Sequence, residues 1–110
     1  MIDLMLAAML AAAKPSYEPP AETWYPQAVG CAASAMVAKG RTPTGDQIGE
    51  IMTFGMIVAD VGRKSGRTKE QVETDVKVAD SFYRHLKQKK PKAFAAHRAY
   101  CSALLDADRP

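Results

Sequence analysis

Apolar side chains recur along this chain with the spacing of helices, and nowhere with the alternation of strands. The clearest case is Val72, Val76, Ala79, Tyr83 and Leu86, which line one side of a helix packed into a bundle. Thr68 and Gln71 precede this run with capping-box spacing, so helix 3 is expected to begin at Thr68. Asp75 falls near the apolar side and is read as an edge position near the open end of the bundle. Thr44 and Gln47 repeat the capping box and open helix 2, which should run to about Lys64. Ile48, Ile51, Met52, Gly55, Ala59 and Gly62 share one face of it, and Phe54, Val58 and Val61 widen the apolar arc. Asp46, Glu50, Thr53, Asp60 and Lys64 take the polar side. Helix 2 is therefore expected to be the most buried, with Gly55, Ala59 and Gly62 admitting a neighbouring backbone.

Two further helices complete the pattern. Helix 1 is predicted from Pro26 to about Lys39, because proline at the first helical position loses no hydrogen bond and Gly40 is a stop signal. Its stretch AVGCAASAMVA is poor in large side chains, so a neighbour can approach closely. Helix 4 should run from about Pro91 to Asp106, with Phe94, His97, Cys101 and Leu104 as its inner stripe. The links are short, which makes consecutive helices antiparallel. The expected fold is all-α: a four-helix up-down-up-down bundle over residues 26–110. In that topology Cys31, near the start of helix 1, and Cys101, near the end of helix 4, sit at the same height. A helix 1–helix 4 disulfide between Cys31 and Cys101 is expected.

Composition changes the picture at the N-terminus. The first 13 residues, MIDLMLAAMLAAA, are almost wholly apolar and end on small residues. They read as a secretory signal peptide, although Asp3 replaces the usual basic start. The run is too short for a membrane span, which needs about 20 apolar residues. Residues 14–25 carry Pro15, Pro19 and Pro20 and read as a proline-rich arm, ending at Trp24 and Tyr25, which should cap the open end of the core. Export to the periplasm or beyond agrees with a cysteine pair stapling a small domain.

Candidate chemistry is sparse. The sequence holds no HExxH, no GxSxG and no glycine-rich phosphate loop after a strand, so an enzyme is not expected. His97 stands one turn before Cys101, an arrangement more often structural than nucleophilic. The Cys31–Cys101 separation matches no zinc-ligand spacing, so neither metal nor other cofactor is expected. The formal net charge is only +3, yet RHLKQKKPKAFAAHR from Arg84 to Arg98 contains no acidic residue. The topology gathers Lys39, Arg41, Arg84, Lys87, Lys89, Lys90 and Lys92 at one pole, where the N-termini of helices 2 and 4 add partial positive charge. This pole is a candidate anion-binding surface for an anionic lipid head group or an acidic protein. The plainer reading is a set of solvated helix-terminal lysines. No exposed aromatics or recognition-helix motif point to nucleic acid.

The plan of apolar leader, small helical domain and single disulfide resembles that of small periplasmic acid-stress chaperones. The resemblance is one of plan: no residue motif is shared, the cysteine spacing differs, and no functional residue carries over. Two functions are therefore expected from the residues. The first is a non-catalytic binding or interaction protein of the bacterial envelope. The second is a stress-protective, chaperone-like periplasmic module, in which partial unfolding uncovers the Met-rich surface of helix 2.

Overall fold

The computed structural model describes residues 21–107; the apolar leader and residues 14–20 of the proline-rich arm lie outside them. Four helices follow one another: α1 (Ala21–Ala38), α2 (Gly45–Lys64), α3 (Lys69–Lys89) and α4 (Pro91–Ala107). No strand occurs among the described residues. Both predicted capping boxes form. Thr44 and Thr68 accept from the backbone amides of Gln47 and Gln71, whose side chains accept from the capping residues' own amides. Each box satisfies two of the amides a helix start leaves without partners. The turn between α2 and α3 needs a left-handed residue, which Gly66 supplies at φ 80°.

Cross-links between helices fix their directions. Tyr25 meets Asp75, and Lys87 reaches the carbonyl of Val37, so α1 and α3 run parallel. Arg98 meets Ser34 and Tyr100 meets Gln27, so α1 and α4 run antiparallel. Gly62, late in α2, lies against Tyr25, early in α1, which makes that pair antiparallel too. The up-down-up-down order is thereby met, and the Cys31–Cys101 disulfide closes α1 on α4 with their Cα atoms 5.5 Å apart.

Three sequence expectations need correction. Helix 1 begins at Ala21, a turn and more before Pro26, so residues 21–25 belong to the bundle rather than to an arm. Pro26 sits inside the helix on its exposed side. Its missing amide forfeits only the bond to the Glu22 carbonyl, a loss offset by the burial of Tyr25 and the packing of Trp24 on the core.

The most buried helix is α1, not α2. Ala28, Val29, Cys31, Ala32, Ala33, Ser34, Ala35 and Val37 are all buried. At 100° per residue these positions surround the helix axis, and a helix that is non-polar all round belongs in the middle. Its small side chains let α2, α3 and α4 each approach it.

On α2 the core face is Phe54, Val58, Val61 and Gly62, with Ile57 packed beside it. Ile48, Met52, Gly55 and Ala59 lie outside that face, and a Cβ at Gly55 would meet nothing within 4 Å. A Cβ at Gly62, in contrast, would lie 2.8 Å from Val72 Cγ2 and 3.4 Å from Tyr25 Cε1. Only one of the two glycines is therefore demanded by a close approach. Phe54 is fully buried, a burial that stabilises by about 1.5–3 kcal/mol.

Candidate functional site

The end of the bundle where α1 and α3 finish is also where α2 and α4 begin. Lys39 and Arg41 stand in the α1–α2 link, Lys89 closes α3, Lys90 is the α3–α4 link, and Lys92 lies in the first turn of α4. All of them are exposed, as are Arg84 and Lys87 on the last turns of α3. Lys87 is the best anchored: its ammonium donates to the Val37 carbonyl at 3.4 Å and stands 5.9 Å from the Phe94 ring centroid. Arg84 and Lys87, with Gln88 and Val37, line an open hollow of about 390 Å³. The pole is not purely cationic. Arg84 pairs with Asp80 at 3.0 Å, and Asp46 lies in the first turn of α2. The opposite end is internally compensated: Asp60 pairs with both Arg63 and Lys64, and Glu22 with Arg67.

A second concave surface escaped the sequence reading. Between α1 and α3 runs an open groove of about 460 Å³, walled by Pro26, Val29, Val78, Ala79, Phe82 and Tyr83. Tyr25, Asp75 and Arg67 meet on it. The Tyr25 hydroxyl donates to Asp75 at 2.7 Å, and the Arg67 guanidinium stacks 3.9 Å above the Tyr25 ring. Burial, then the bond to Asp75, pushes the Tyr25 pKa up to about 12. Asp75, at the edge of the groove, is thus the partner of the Tyr25 phenol. The signal for this groove was the pair Val78 and Phe82, spaced one turn apart and off the main stripe of α3; both are exposed.

The core holds the third candidate, a polar chain around the disulfide. Arg98 on α4 pairs with Glu50 on α2, and the two side chains are only 16% and 13% exposed. The same guanidinium donates to Ser34 Oγ at 2.9 Å, and Ser34, fully buried, donates to the Cys31 carbonyl. Glu50 was placed on the solvated side of α2 by its sequence neighbours. Its burial follows from Arg98, which no spacing rule links to it. His97 stacks on Tyr83 with ring centroids 4.4 Å apart, and its Nε2 lies 3.3 Å from the Gly30 carbonyl and 3.4 Å from Cys101 Sγ. Desolvation lowers the His97 pKa, with Arg98 adding to the effect and the Gly30 carbonyl opposing it.

Cys31, His97 and Cys101 bring their ligand-type atoms within 4.8 Å of one another. Both sulfurs are spent in the disulfide, and a disulfide is a poor metal ligand. For the same reason Cys101 offers His97 no thiol to activate. Comparison with protein-family models, curated proteins and solved structures gave no match, so the functional reading rests on geometry and sequence alone. No helix among the described residues is long and apolar enough to cross a membrane.

Proposed function

We propose that this chain is a small, non-catalytic binding protein of the bacterial envelope, exported by its apolar leader and engaging an anionic partner through its basic end. The observation that supports the reading is the hollow lined by Arg84 and Lys87, beside which Lys89, Lys90 and Lys92 are exposed. Two helix N-termini at the same end add partial positive charge. The partner chemistry is an anionic lipid head group or an acidic protein surface, and the binding is electrostatic. Salt must therefore weaken it, since exposed charges act over only about 8 Å at physiological ionic strength.

Binding to anionic and neutral vesicles at low and high salt tests this. Changing Lys87, Lys89, Lys90 and Lys92 together to Gln should abolish the anionic, salt-sensitive binding. The control set is Arg63, Lys64, Lys69 and Lys77, all exposed. Arg67 is left out of it because it stacks on Tyr25. Equal losses from both sets would reduce the basic end to a diffuse net charge.

A second reading is favoured by a specific observation. Large apolar side chains stand in solvent: Met52 is 61% exposed, Met56 71% and Phe82 57%. A stress-protective, chaperone-like module would use such surfaces to hold unfolded clients. That reading expects suppression of client aggregation, with helicity retained, when mild acid exposes further apolar surface.

A further inference from the structure

We infer that the outward face of α2 is a dimer interface, on which a second copy of this chain packs its own α2 antiparallel. The face is continuous and apolar. Gly45, Gly49, Met52, Met56 and Ala59 follow at intervals of four, three, four and three, the period of a coiled-coil seam. They lie opposite the core face of Phe54, Val58 and Val61, and each is exposed. Ile48, 45% exposed, flanks the seam. A Cβ at Gly45, Gly49 or Gly55 would meet nothing within 4 Å, so no part of the described chain covers this face. A surface of this length, with two methionines mostly in solvent, is unusual for a monomer.

Two features select a second copy and its direction. The seam reads nearly the same from either end. A two-fold axis at the level of Phe54 sets Met52 against Met56 of the other copy and Gly49 against Ala59, so that in the middle of the seam large meets large and small meets small, while Gly45 at the end faces Arg63. The charges agree with that arrangement alone. α2 carries Asp46 in its first turn, and in its last turn Arg63 and Lys64 share the single carboxylate of Asp60, which leaves that end net positive. Antiparallel packing brings the acidic turn of each copy to the basic turn of the other and also opposes the helix dipoles; parallel packing would set like against like at both ends. Gly49 and Ala59 then let the backbones approach closely.

Sedimentation equilibrium of the purified protein should show a monomer–dimer equilibrium, with dimer prominent at roughly 100 µM. Met52→Lys with Met56→Lys should raise the dissociation constant by more than about tenfold. Met36→Lys, on an exposed side chain of α1, should not. Asp46→Lys and Arg63→Glu should each weaken the dimer, and their combination should restore it. Circular dichroism melts check that every variant folds. A protein monomeric throughout this range overturns the inference. So does a dimer indifferent to Met52 and Met56, which forms elsewhere. Charge variants that do not rescue one another overturn the antiparallel direction.

Discussion

α1 and α2 are both rich in apolar residues, α1 chiefly in alanine and α2 in glycine, isoleucine and methionine. From Ala28 to Val37 α1 is buried on all sides apart from Met36, whereas α2 buries one face and leaves Ile48, Met52 and Met56 in solvent. The difference is not the amount of apolar surface but the distribution of charge. From Tyr25 to Ala38 no residue is charged, so no side of α1 requires water. α2 holds Asp46, Glu50, Asp60, Arg63 and Lys64, which tie part of its circumference to solvent or to a partner. Small residues then act in opposite ways. On α1 they allow three neighbours to close in. On the outer face of α2 they hold no neighbour of the described chain.

Each neighbour is tied to α1 by a different bond, and each tie can be cut. The largest effect should come from the disulfide, which joins α1 to α4 across a sequence separation of 70 residues. Replacing Cys31 and Cys101 by Ala should cost about 2–5 kcal/mol, read as a fall in the urea midpoint. The purified native protein should accordingly have no alkylatable thiol before reduction.

Next comes Arg98, which links α1, α2 and α4 through Ser34 and Glu50. Arg98→Met strands a largely buried carboxylate and should cost about 2–4 kcal/mol, less than for a fully buried pair. Adding Glu50→Gln should recover part of that loss. Strict additivity of the two changes would show that the pair contributes nothing. Tyr25→Phe, which removes the hydroxyl joining α1 to α3, should cost about 1 kcal/mol at neutral pH. Wild-type stability should also fall as pH rises from about 10, the ordinary phenol value, towards the raised value of about 12, and the variant should lose that dependence.

The smallest effect concerns His97, between α1 and α4. Its folded pKa lies below the ordinary 6.5, so the unfolded chain takes up the proton first. Stability from this group is intact above about pH 6.5 and is lost as pH falls through the lowered folded value. His97→Gln should flatten the stability profile in that window, as measured by thermal melts at a series of pH values. An unchanged profile would mean that other groups carry the acid sensitivity.

Much of the fold was legible in the sequence because its signals were local or topological. Thr44 with Gln47 and Thr68 with Gln71 announce their helices through bonds that span three residues. The stripe of α3 is regular, and only Val78 and Phe82 interrupt the polar remainder, so its facing was plain. The disulfide followed from four helices joined by short links. The start of α1 was hidden because Pro26 marks a helix start more often than a helix interior. The facing of α2 was hidden because its apolar arc is wider than any one neighbour can cover. Periodicity reports which positions could be buried, and the partner decides which are. The basic residues could be assigned to one end from topology, but the α1–α3 groove needed Tyr25, Asp75 and Arg67 to be brought together from three segments. The Glu50–Arg98 pair, separated by 48 residues, has no sequence signature at all.

The claim that α1 is the hub and that α2 turns one side away from it rests most directly on two glycines of the same helix. Gly62 lies where α2 meets Tyr25 of α1 and Val72 of α3, while Gly55 faces open space. Thermal melts of Gly62→Leu and Gly55→Leu, measured under identical conditions, compare them. Overpacking at Gly62 should cost about 1–3 kcal/mol and lower the melting temperature by at least about 5 °C. Gly55→Leu should leave it unchanged or raise it, because leucine exceeds glycine in helix propensity by about 0.8 kcal/mol. A fall at Gly55 as large as that at Gly62 would contradict the account.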